Sequence, residues 1–366
     1  MKNFTNLLKT TVFGVTALAA GSFAANAEEV KMYNWADYIH EEVAAGFEAE
    51  TGIKLLQDYY DSVEIVDAKL LAGKTGYDVI VHSSGNLSRL IAADIILKLD
   101  KSKLPNMKHM RPDIMALMAS NWDSNNEHIL PYMWGTHGVT FDKAAVDAVL
   151  PNAPYGSAAL IFDPANMEKL SKCGVAFLDS PDDMIPMAMK YLGLDPYSTN
   201  RSDYKKVDAL FASIRPYVKA FGNYEYTKMA ESEYCITTTW GPDGLFAQGA
   251  VDEAGIDMKL DFFAPKEGAN LWVDSWAIPN DADNIDGAHK FINYMMRPDV
   301  SAAATDYTWY ANANADATAL VDPEVTGSPA AYPTDEAVAS MYTYEIMPPK
   351  IERTRTRTWS TFKSGS

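Results

Sequence analysis

Apolar and polar positions alternate from Val30 to Trp35, the period of a half-buried strand. Glu41 to Glu50 then follows the period of a helix and stops near Gly52. Ile53 to Gln57 reads as a second strand. Asp61 to Ala72 reads as a helix, with Asp61 and Glu64 spaced as a capping box and Gly73 as the stop. Tyr77 to His82 is a short apolar strand, followed by a helical stretch from Leu87 to Ala93. This β-α-β-α-β succession predicts a largely parallel sheet covered by helices. A second set of units runs from Val139 to about residue 263. It has a strand at Val139 to Phe141, helices at Lys143 to Leu150, Asp182 to Leu192 and Asp203 to Val218, and a strand at Cys235 to Thr239. A strong amphipathic helix, Ile285 to Met295, follows Pro279. No Pro/Ser-rich linker separates the two sets, which predicts two lobes joined by chain crossings rather than two beads on a string.

The first residues break from this pattern. Lys2 and Lys9 precede an apolar run, Thr10 to Ala25, followed by Ala25-Asn26-Ala27. A charged start, a short apolar centre and an A-x-A site predict a secretory signal peptide over 1–27. No Cys follows the cleavage site, so no lipid anchor is expected. Residues 1–27 hold two lysines and no acid, so their removal takes the formal charge from −18 to −20. Such a chain repels nucleic acid and anionic membranes. No later apolar run reaches the length of a membrane span.

Two cysteines remain, Cys173 and Cys235. In an exported protein such a pair closes a disulfide, worth about 4 kcal/mol for a loop of about 60 residues, or else stays as two buried thiols. Near the C-terminus Arg353, Arg355, Arg357 and Lys363 form a basic stripe. It reads as a strand whose alternate arginines face solvent or pair locally, in preference to a docking patch.

Catalytic signatures are missing. There is no G-x-G-x-x-G, Walker A loop, H-E-x-x-H or G-x-S-x-G, and the six histidines show no metal-ligand spacing. Tyr59-Tyr60 is the one candidate for ferric iron, and adjacent tyrosines at a strand end more often pack. What stands out is a set of aromatics paired with acids: Trp35 with Asp37 and Tyr38, Trp240 with Asp243, Trp272 with Asp274, and Tyr310 in a Trp-Tyr-Ala-Asn-Ala-Asn run. Each pair is expected where a strand ends, the place where open α/β sheets bind ligands. Aromatic faces attract ammonium groups and bury methylenes, while carboxylates hydrogen-bond the same cations. The combination suits an apolar chain with a cationic end. Asp243 and Asp274 also admit a second reading, an exported hydrolase working through two carboxylates.

At these residues the chain resembles the periplasmic putrescine/spermidine-binding proteins of bacterial ABC transporters. YNWADYI (33–39), KLLAGKTGYDVIV (69–81), LPYMWGTHGV (130–139), CGVAFLDSP (173–181), PKEGANLWVDSWAIP (265–279) and YANAN (310–314) follow the family's blocks in order. The resemblance implies a type II periplasmic binding protein, an α/β fold of two lobes with a hinge and a ligand cleft. It implies a polyamine ligand (spermidine and/or putrescine), an ABC permease as partner, a monomer, no cofactor, no metal and no catalysis. The lobes would comprise 28–136, then 137–274, with a return segment 275–315 and a C-terminal helical segment 316–366 packing mainly on the second lobe. The ligand residues carried over are Trp35, Ala36, Asp37, Tyr38, Ser83, Asp183, Trp240, Asp243, Trp272, Asp274 and Tyr310, and Cys173 and Cys235 match a family disulfide. Ala36 stands for the usual Ser/Thr, Asp183 for a Glu, and Gly85 and Asn86 for bulkier residues that would narrow the cleft. Trp272, Gly85 and the short Asp183 favour spermidine, whereas Asp37 and Asp243 follow the putrescine pattern.

Overall fold

A computed structural model describes residues 28–365; the expected signal peptide lies outside them. Among the described residues, eleven strands form one sheet: β1 (Glu29–Trp35), β2 (Lys54–Tyr60), β3 (Val79–Ser83), β4 (Leu130–Asp142), β5 (Val175–Phe177), β6 (Ala220–Phe221), β7 (Ile236–Trp240), β8 (Leu260–Phe263), β9 (Asn270–Ala277), β10 (Ala311–Asn312) and β11 (Tyr342–Thr343). The order is β2-β1-β3-β9-β4-β7-β5-β6, with β10 and β8 on β4 and β11 on β9. The fold is a two-lobed α/β fold, and strand β4 runs through both halves. Its first part, Leu130 to Thr136, pairs with β9, and its second, His137 to Asp142, pairs with β7 and β8.

The sheet is mixed rather than largely parallel. The local β-α-β units are parallel as expected, β1 with β2 and β3, and β5 with β6 and β7. The strands that carry the chain across, β4 and β9, run antiparallel to each other and to β7 and β3. Crossing strands are contributed by distant segments, so no local α/β unit fixes their direction. β4 is also far longer than Val139 to Phe141: it is buried along almost its whole length, and burial on both faces erases the alternation that marks a half-exposed strand.

Helices cover both faces of the sheet. The helix Glu41–Thr51 ends in a left-handed Gly52, as its sequence predicts. The helix Val63–Leu71 is capped by Ser62, whose side chain accepts from the Ile65 amide, and not by Asp61. The first half's core gathers Val30, Met32, Phe47, Val79, Val81, Trp276 and Phe291. The second half's gathers Val139, Phe162, Phe177, Phe211, Ile236, Trp359 and Phe362.

The C-terminal stripe is a helix, Pro349–Ser364, and not a strand. Its arginines do not share one fate. Arg355 is 1% exposed and donates to Asp182 at 2.6 Å, with Glu352 at 3.6 Å. Thr358 and Trp359 from the same helix donate to Asp208 and Asp179. A helical period puts positions 351, 355, 358, 359 and 362 on one face, and that face is the buried one.

Cys173 and Cys235 form a disulfide across a sequence separation of 62, with their Cα atoms 5.4 Å apart. It ties the turn before β5 to the start of β7. Replacing both with serine is expected to remove about 4 kcal/mol of stability. Thermal melts of the variant and of the reduced wild type, each set beside the oxidised protein, check this; unchanged melting would refute it.

Candidate functional site

A cavity of about 530 Å³ opens along the crossing strands. All eleven residues singled out in the sequence line it. Trp35 ends β1, and Ala36, Asp37 and Tyr38 form the loop beyond it. Ser83 ends β3 and precedes the helix Ser84–Ala92; Trp240 ends β7, and Asp243 opens the helix Asp243–Glu253. Asp183 lies in the first turn of the helix Pro181–Tyr191. Trp272 and Asp274 break the expectation of strand ends, because they sit in the middle of β9. A crossing strand meets the cleft along its length, so its middle lines the cavity.

The charge of the wall is one-sided. Asp37, Asp61, Glu64, Asp179, Asp182, Asp183, Asp243 and Asp274 all line the cavity, and no Lys, Arg or His does so among the described residues. Asp243 and Asp274 are buried. Burial pushes the Asp243 carboxyl up to about 7, against the opposing pull of the Tyr310 hydroxyl, which donates to its Oδ1 at 2.8 Å. Its Oδ2 is buried and meets no hydrogen-bond partner among the described residues. Burial likewise pushes Asp274 up to about 7, opposed by a hydrogen bond with the Tyr38 hydroxyl. Two carboxylates withdrawn from water with no countercharge are costly unless a cation joins them.

Asp183 is held differently. It accepts from Ser180 Oγ at 2.7 Å, from Trp240 Nε1 at 3.2 Å and from Asn270 Nδ2 at 3.3 Å, and His137 Nδ1 lies 3.5 Å away. Burial pushes the His137 imidazole down, with Asp183 as the opposing influence.

Aromatic rings build the remaining wall. Trp35 tilts against Tyr60 at 4.4 Å between centroids. Trp272 meets Tyr310 edge-on at 5.3 Å, and Tyr310 meets Tyr38 at 5.6 Å. The indole nitrogens of Trp35 and Trp272 are buried without a partner among the described residues. Asp37 stands on the exposed lip in a left-handed conformation, φ 54°, which Asp tolerates better than most residues.

Tyr59 and Tyr60 part company. Tyr60 is buried and donates its hydroxyl to the Val81 carbonyl, while Tyr59 is 51% exposed. Successive strand residues point to opposite faces, so the two cannot converge on one ion. Gly85 does not leave open space: a Cβ there would come within 2.3 Å of the Tyr344 ring, which fills the place. Tyr344 lies more than 250 residues away in sequence, so nothing near Gly85 announced it.

The sequence reading missed several lining residues, among them Asn270, Tyr226, Phe246 and Tyr344. Asn270 was findable, since Asn270, Trp272 and Asp274 fall at i, i+2 and i+4 and so share one face of β9. Tyr224 and Tyr226 lie in a loop region and short helical turn with no strand period to mark them.

Comparison with known proteins agrees with this architecture. The bacterial extracellular solute-binding protein family matches residues 42–334. The putrescine-binding periplasmic protein SpuD of Pseudomonas aeruginosa is 42% identical over 363 residues, covering 96% of this chain and 99% of its own. The putrescine-binding periplasmic protein PotF of Escherichia coli is 42% identical over 352 residues, 95% of each chain. The spermidine/putrescine ABC transporter substrate-binding protein PotD of Streptococcus pneumoniae has a TM-score of 0.76 at 24% identity, covering 92% of this chain and 99% of that one, a likeness of fold. With most of its length matched in this way, the chain belongs to the bacterial extracellular solute-binding protein family.

Proposed function

We propose that this protein captures a polyamine in the periplasm and delivers it unchanged to an ABC permease. The observation that carries the reading is the pair of buried carboxylates, Asp243 and Asp274, without a countercharge in an aromatic-walled cavity. Two ammonium groups would supply the missing charge, and the rings would enclose the methylenes between them. Relatives that are 42% identical are named as putrescine-binding. The eleven lining residues from the sequence reading are proposed as the ligand contacts.

Ligand length follows from the same wall. Since Tyr344 fills the space beside Gly85, Trp272 and the short Asp183 are left as the features favouring spermidine. Together with the named relatives, this moves the reading towards putrescine. The lobes are proposed to divide where β4 changes partners, between 136 and 137; the second boundary is proposed after 274. Residues 1–27 are proposed as the export signal, and the mature chain as a monomer.

The hydrolase reading finds less support. An acid/base pair works when its environments push the two pKa values apart, and here burial raises both to about the same value. The family is one of substrate-binding transport proteins.

Isothermal titration of the mature protein with putrescine, spermidine, agmatine and an amino-acid panel tests the proposal. Saturable 1:1 heat with a polyamine is expected, with the ligand recovered intact. No heat with either polyamine at millimolar concentration would refute it.

A further inference from the structure

We infer that Gly135 is a positioning residue for the cleft: the absence of a side chain there seats the Trp272 indole against β4. The inference rests on the polyamine reading for its functional consequence, and on geometry for its placement. Gly135 lies opposite Trp272 in the antiparallel pairing of β4 with β9. A Cβ at 135 would come within 2.7 Å of Trp272 Cζ2 and 3.3 Å of Cε2 and Cη2. Cβ atoms do not sit so close to a ring carbon, so one of the two would have to move.

The backbone does not itself demand glycine at this position. Gly135 sits inside β4 and its φ lies outside the left-handed region, so an L-residue fits the backbone. What glycine supplies is space, and an aromatic ring across the pair fills it. The indole has little freedom to retreat. It also meets the Tyr310 ring edge-on at 5.3 Å between centroids, and the Tyr310 hydroxyl is committed to Asp243. β9 is paired with β4 at Trp272 itself and with β3 from Asp274 onward. A methyl group at 135 therefore drives the indole into the cavity or presses it on Tyr310, and either motion displaces the wall that faces the ligand. Nothing about Gly135 as a sequence position marks it as part of the site, and it does not line the cavity itself.

The test is a double-mutant cycle: wild type, Gly135→Ala, Trp272→Phe and the double variant, titrated with putrescine and with spermidine. The clashing atoms belong to the outer ring of the indole, which phenylalanine lacks. Gly135→Ala is expected to weaken polyamine binding about tenfold or more beside Trp272, because a site loosened by about 1 Å loses much of its fit. In the Trp272→Phe background the same substitution is expected to cost less than about twofold, a rescue that a general loss of strand stability would not give. Equal effects in both backgrounds, or none in either, overturn the inference. If Gly135→Ala alone fails to fold, folding and binding restored by Trp272→Phe support it, and failure in both backgrounds overturns it. If the wild type binds neither polyamine, the polyamine reading falls. A crystal structure of Gly135→Ala then decides the placement: a displaced indole supports it, and an unmoved one overturns it.

Discussion

Asp274→Ala is expected to weaken polyamine binding by about 2–5 kcal/mol, which is roughly 30-fold to several thousand-fold. The size follows from burial. Asp274 sits in the interior of β9 with Tyr38 as its hydrogen-bond partner, and a cation drawn to it gives up water to get there. Without the carboxylate that cation keeps the desolvation cost and loses its partner. Asp243→Ala should behave similarly, since its Oδ2 has no other acceptor role among the described residues. Asp299, exposed and paired with Arg297, is the control, and its removal should leave affinity nearly unchanged. Titration calorimetry on the three variants decides this. Equal, small effects would place Asp274 and Asp243 outside the ligand's reach.

Affinity should also fall as the medium is acidified. Both carboxyls are raised from 3.8 to about 7 in the folded, unliganded protein. A raised acid is neutral below its folded pKa, so at pH 6 most molecules would first have to release protons to receive a polyamine, whose amines stay charged throughout. Between pH 8 and pH 6 the loss is about tenfold per participating group, or about 100-fold for both. The stability of the empty protein moves the opposite way. The contribution from these two groups is fully present below pH 3.8 and is lost as pH rises through about 7, where burying the ionised form becomes costly. Titrations across this range, in buffers of different ionisation enthalpy, should record weaker binding at low pH and proton release on binding. An affinity flat from pH 6 to 8 would contradict the raised values.

Much of this was legible in the chain itself, for identifiable reasons. The helix Ile285–Met295 was readable to the residue because its apolar stripe faces one core and its other side faces water. Trp35, Trp240 and their acids were readable because they follow short strands of ordinary pattern. β4 was not, since a strand buried on both faces has no alternation to read. Arg355 misled for the opposite reason: a charge suggests solvent, yet its partners Asp182 and Glu352 bury it. Gly85 and Gly135 look alike in sequence, as small residues in cleft segments. Only the three-dimensional neighbour, Tyr344 in one case and Trp272 in the other, says what each is for.

The order of the sheet also bears on the sequence in which the chain can fold. β3 is buried along nearly its whole length, and its second neighbour is β9; the hydrogen bond between Ser84 and Ser275 joins residues 191 apart. Until β9 is in place, β1, β2 and β3 carry an unpaired apolar edge, the kind of surface on which partly folded chains stick to one another. The first half of the sheet therefore cannot close until the chain up to residue 277 has returned to it.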